Sequence, residues 1–138
     1  MLRSQEMEAV LSRNWVARLA FCWKNHVDIE PIYYVYEKPW LFGRTSVGAK
    51  LVAMAHNEWC AAVVDEIEDM FDWRSVIVKG PFRAFNSSLG TGDEYKRAVA
   101  AIRRLLPSAF QEDDPVPERN IVFGIYATEM TGRRMKSG

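Results

Sequence analysis

The stretch from Trp15 to Trp23 alternates strictly, with Trp15, Ala17, Leu19, Phe21 and Trp23 on one side and Val16, Arg18, Ala20 and Cys22 on the other. A period of two is the signature of a strand with one face in a core. Lys24-Asn25-His26 follows, and Asn25 suits a positive-φ turn position. A second run rich in Ile, Val and Tyr extends from Ile29 to Tyr36. Two strands joined by so short a turn must be antiparallel, because a parallel pair needs a crossover of a dozen residues or more. The chain therefore begins its sheet as a meander, which disfavours a βαβ fold.

The rest of the chain fits that start. Ser4 to Arg13 reads as a short helix capped by Ser4, with Met7, Val10 and Leu11 on one side. Glu37-Lys38-Pro39 is a turn before a strand that begins at Trp40 to Gly43. Val47, Leu51, Met54 and Ala55 then share one helical face, and Thr45 or Ser46 can cap that helix. Trp59 to Val64 reads as a buried strand and Asp65 to Asp72, with five carboxylates, as a solvated connection. Trp73 to Phe85 is a long strand with a bulge or bend at Gly80-Pro81. Thr91 and Glu94 form a capping box for a helix that Pro107 ends. Ser108 to Glu118 reads as irregular, Ile121 to Thr128 as the last strand, and Thr131 to Gly138 as a frayed basic tail. Six strands in succession with three helices predict a mainly β, α+β domain. The expected form is an antiparallel sheet closing into a small barrel, one domain over residues 1–138.

Composition narrows the function. Eighteen Lys and Arg balance eighteen Asp and Glu, which argues against a nucleic-acid module built on phosphate contacts. No apolar run approaches a membrane span, and the first residues lack the apolar core of a signal peptide. Cys22 and Cys60 cannot make a disulfide framework, so a reduced, cytoplasmic compartment is expected. Cys22, His26, His56 and Cys60 have zinc-like spacings, but residues four apart on a strand lie about 13 Å apart, too far for one ion. The acidic run lacks the central Gly of a calcium loop, and no nucleophilic motif is present. Seventeen aromatic residues need a core, a subunit interface or a flat ligand to pack against.

The most informative segment is Gly43-Arg44-Thr45-Ser46-Val47-Gly48-Ala49-Lys50. A helix start carries unpaired N–H groups and a positive dipole end. Two hydroxyls, two cations and a glycine beside it are the parts of a phosphate cradle, or of an ordinary capped helix with two surface cations. The spacing is not that of a P-loop.

The string from Leu41 to Met54, together with Asn57, Val63, Asp65, Glu66 and the run Trp73 to Gly80, resembles the FMN-binding split-barrel proteins related to pyridoxamine 5′-phosphate oxidase. Arg18-Leu19-Ala20 and Pro31 to Tyr36 extend the resemblance over residues 10 to 85. It implies a six-stranded split barrel binding FMN at a homodimer interface. Arg44, Thr45, Ser46 and Lys50 would hold the phosphate; Arg18, Leu19 and Ala20 would run along the flavin ring, with Trp73 and Ser75 also against it. Ser75 stands where the oxidase proper has a glutamine. The resemblance implies a flavin-dependent oxidoreductase acting on an unassigned small molecule. A flavin carrier or sensor, or a barrel for haem, a deazaflavin or another ligand, are the alternatives. The oxidases proper carry an Arg/His substrate motif near the C-terminus; this chain has no His after His56, which points away from pyridoxine phosphate.

Overall fold

A computed structural model describes residues 1–46, 48, 58–86 and 92–136, with the backbone alone at Trp23. The elements are α1 (Ser4–Arg13), β1 (Val16–Trp23), β2 (His26–Tyr33), β3 (Val35–Glu37), β4 (Trp40–Thr45), β5 (Trp59–Asp69), β6 (Asp72–Phe85), α2 (Gly92–Leu105), β7 (Ile121–Tyr126) and β8 (Glu129–Lys136). Every strand pair is antiparallel, in the order β2-β1-β5-β6-β7-β4-β3, with β8 also paired to β6.

The first hairpin forms as its alternation dictates. Ala17, Leu19 and Phe21 are buried, and Lys24 and Asn25 both take positive φ (51° and 63°) in the turn. That two-residue geometry matches strand twist and lets His26 begin β2 at once. The helix α1 starts at Ser4 and not after it. Arg3 is the N-cap residue, and the Glu6 carboxylate accepts from its backbone N–H (3.3 Å) and its Nε (3.1 Å).

β6 organises the barrel by changing partner. Residues Asp72 to Lys79 pair with β8 on one side, and Phe82 to Phe85 pair with β7. Gly80 sits at the switch, where a Cβ would lie 1.8 Å from the Tyr126 carbonyl oxygen. Only a residue without a side chain lets the two backbones approach so closely.

The core divides in two. One part packs α1 (Val10, Leu11) against Leu19, Leu41, Val64, Val76, Val78, Phe123 and Ile125. The other packs α2 (Ala98, Ala101, Ile102) against Phe42, Phe85 and Val122. Leu41 and Phe42 therefore face different halves, as neighbours on one strand must.

Three expectations are corrected. Eight strands are described where six were expected. The acidic run is no loop: β5 continues to Asp69 and turns at Met70-Phe71. Glu66 is tolerated on the strand because it accepts two bonds from Arg13 (both 2.6 Å) and one from Asn14 (2.6 Å). The basic tail is also a strand. β8 covers the flank of β6, and its Gly132 is buried against Leu2 and Met7, where a Cβ would come within 3.0 Å of both. Apart from Gly48, the expected helix from Val47 to Ala55 lies outside the described residues, as does Thr91 of the capping box.

Candidate functional site

The strands β2, β1, β5, β6 and β8 present one outward face. Residues in register on neighbouring strands share a face, with Cβ atoms about 5 Å apart. Pro31, Arg18, Val63, Ile77 and Thr131 form one such row across all five strands. Ile29, Ala20, Ala61, Lys79 and Glu129 form the next. On the other side lie Asp65-Ser75-Arg133 and then Ile67-Trp73-Met135.

This face combines apolar surface with charge. Ile67 is 71% exposed and Met135 45% exposed, while Trp73 and Ser75 are half-buried. A cavity of about 740 Å³ lies over Trp73, Ser75, Ile77, Lys79 and Arg133, and one of about 450 Å³ over Arg18 and Val63. Both reach Asp65 and Ile67. Arg18, Lys79 and Arg133 are exposed, and their side chains make no hydrogen bond or ion pair with another described residue. A flat aromatic ligand needs apolar walls with few polar groups, and its anionic end needs uncompensated cations. Both requirements meet here.

The structure thus brings Arg18, Ala20, Trp73 and Ser75 onto one face. Leu19 is a correction as far as its side chain goes. It is wholly buried in the core, because alternation turns it away from its neighbours Arg18 and Ala20.

The expected phosphate segment is placed differently. Arg44 is buried and gives Asp114 two parallel hydrogen bonds, Nη1 to Oδ2 at 2.5 Å and Nη2 to Oδ1 at 2.7 Å. Its guanidinium also lies 5.0 Å from the Phe110 ring centroid. Asp114 accepts two further bonds, from the backbone N–H of Phe110 (2.8 Å) and Val116 (3.0 Å). Those bonds, Arg44 first, hold its carboxyl far below the usual carboxylate range. Arg44 is therefore neutralised by a carboxylate. Thr45 is buried, and its Oγ1 lies 3.4 Å from the Ser46 carbonyl oxygen; Ser46 is exposed. Lys50 lies outside the described residues.

Sequence reasoning passed over Lys79, Arg133 and Asp114. The first two were legible as outward positions of alternating strands, once the tail is read as one. Asp114 had no signal, since an aspartate in an irregular Pro-containing segment ordinarily faces water. Burial pushes the Cys60 thiol up to about 12, so it is an inert core residue. Among the described residues, no group of three or more His, Cys, Asp or Glu comes close enough to hold a metal ion.

A family model described as pyridoxamine 5′-phosphate oxidase matches residues 3–134. The chain belongs to this family. A curated relative, an uncharacterized protein of Rhizobium meliloti, is 26% identical over 97% of this chain and 93% of its own length. Among solved structures, a FAD-binding protein from Mesorhizobium loti superposes with a TM-score of 0.79 at 24% identity, covering 98% of this chain and 96% of that one. A FAD-binding protein from Mycobacterium smegmatis gives 0.69 at 24% identity and 98% of each chain. A FAD- and haem-binding protein from the same organism gives 0.71 at 15% identity, covering 100% of this chain and 73% of that one. These likenesses establish the fold, a split barrel. No helix among the described residues is long and apolar enough to cross a membrane.

Proposed function

We propose that this family member binds a flavin nucleotide, FMN in the first instance, on the outward face of β1, β5, β6 and β8, and uses it as an oxidoreductase. The observation that carries this reading is the set of cations Arg18, Lys79 and Arg133, whose side chains form no ion pair with another described residue, around exposed apolar side chains on that one face. When bound, the flavin would supply the redox chemistry, accepting an electron pair from one small molecule and passing it to another.

The protein's own part is to bind and orient. Trp73 and Ile77 offer apolar surface to the ring, and the Ser75 hydroxyl offers a donor and an acceptor. Arg18 supplies charge for the phosphate or for ring oxygen atoms. Ser46 and Lys50 remain in the proposed phosphate set. Arg44 is reassigned from anchor to support, because Asp114 already holds its charge. The same face exposes Ile67, Ile77 and Met135, with Val27, Ile29 and Tyr33 beyond them on β2. An exposed sheet face with this much apolar surface is ordinarily covered. The proposed cover is a second copy of the chain, giving a homodimer with the flavin between the copies. Residence in the cytoplasm completes the reading.

The test is a titration of FMN with purified protein, followed by quenching of flavin fluorescence, with mass measured by light scattering. Saturable quenching by a dimer supports the proposal; unquenched FMN overturns it. FAD is the second ligand to titrate, because three of the solved neighbours are FAD-binding proteins. Steady-state reoxidation then separates an enzyme from a carrier. An enzyme's bound flavin turns over with some acceptor faster than free FMN, and a carrier's does not.

A further inference from the structure

A cleft of about 330 Å³ lies between α1, the turn from β3 to β4 and the turn from β7 to β8. It shares no lining residue with the two cavities of the outward face. Alternation turns it away from that face, since Met130 lines the cleft while its neighbour Thr131 lies in the outward row. The three walls are tied to one another. The Ala127 N–H donates to the Pro39 carbonyl at 2.9 Å, and the Tyr36 hydroxyl donates to Glu8 Oε1 at 3.0 Å.

The floor of the cleft is apolar. Met7 belongs to the buried core, and Ala127 and Met130 pack against it. Two flexible, polarizable thioethers suit an aliphatic or aromatic group of variable shape. The volume lies at the small end for a ligand site.

The rim carries one charge of each sign. Lys38 Nζ lies 3.3 Å from Glu8 Oε1, the same oxygen that accepts from Tyr36. Glu8 Oε2 accepts from no other described residue, and an ammonium has three protons to give. Both partners therefore keep capacity for a further bond. The Lys38 side chain is 74% exposed, and an ion pair so exposed contributes little by itself. Burial, followed by the bond to Glu8, pushes the Tyr36 hydroxyl up to about 12, so it stays a donor and holds the carboxylate in place. A carboxylate and an ammonium side by side over an apolar floor match a molecule with the same two charges on adjacent atoms and an apolar side group.

We propose that this cleft binds a free α-amino acid with an apolar side chain, its ammonium on Glu8 and its carboxylate on Lys38. The site does not depend on the flavin reading, since neither its floor nor its charges come from the outward face.

The probe is L-phenylalanine, compared with phenethylamine and 3-phenylpropionate by isothermal titration calorimetry on the full chain. The amino acid is expected to bind at least tenfold more tightly than either analogue, each of which lacks one charge. Glu8→Gln should remove its advantage over 3-phenylpropionate, and Lys38→Met its advantage over phenethylamine. Urea unfolding confirms that each variant is folded, and the exposed Lys38 keeps the test open if Glu8→Gln is not. An amino acid that binds no more tightly than the analogues overturns the proposal, as does an advantage that survives the substitutions. So does an absence of binding in the wild-type protein.

Discussion

At the scale of single residues, the Arg44–Asp114 pair shows how chemistry chosen for one role serves another. A strand-end arginine beside hydroxyl residues has the attributes of a phosphate ligand, yet a buried guanidinium also needs a carboxylate. The sequence showed the cation but not its partner seventy positions on. Asp114→Asn should lower the urea midpoint near neutrality, because Arg44 would keep its charge in a buried place. The acid dependence has a definite sign. Asp114 titrates far below its unfolded pKa of about 4, and the hydrogen bonds from Arg13, ahead of those from Asn14, lower Glu66 likewise. The folded state therefore binds fewer protons, so this stabilisation is complete above about pH 4 and is lost as the pH falls below it. Unfolding curves across that range should show the loss, and it should be smaller in Asp114→Asn. Leu19 gives a contrasting case. Leu19→Ala should cost about 2–5 kcal/mol in denaturant unfolding, the range for a truncated core leucine. Tyr34→Phe should cost about 1 kcal/mol through the hydrogen bond to Leu11.

At the scale of elements, short turns and alternation made β1, β2 and β6 readable. The Lys24-Asn25 turn, α1 and the break at Gly80 follow from local chemistry. What was not readable depended on partners distant in sequence. β5 runs through four carboxylates because Arg13 and Asn14, at the far end of α1, accommodate Glu66. β8 forms because the first half of β6 has a flank to pair, and nothing local distinguishes that from a basic tail. Two variants examine the β6 junction. Gly80→Ala places a methyl carbon on the Tyr126 carbonyl and should cost about 3 kcal/mol or more, near the upper end for overpacking. Ending the chain after Thr128 removes β8, bares the edge of β6 and should yield protein that aggregates in light scattering, as unpaired edges do.

At the scale of the whole molecule, the barrel keeps one five-stranded face outside its own core. That face carries Arg18, Trp73 and Ser75, which a strand reading can place because outward positions repeat every two residues. Whether they also share a ligand depends on a flat apolar surface with unpaired cations, which only the assembled sheet displays. The zero net charge of the chain conceals this, since its carboxylates pair cations elsewhere, Asp114 with Arg44 and Glu66 with Arg13. Ile77→Asp, in the centre of the face, should convert a dimer to a monomer in light scattering. The most direct measurement is the FMN affinity of Arg18→Ala against that of the wild-type protein, with Arg104→Gln, on α2 and ion-paired to Glu37, as the control outside the face. Loss of the Arg18 charge should weaken binding by about 1.5–3 kcal/mol, the scale of a charged hydrogen bond, and the control should bind normally. Equal affinity in Arg18→Ala and wild type would contradict the placement of the flavin on this face.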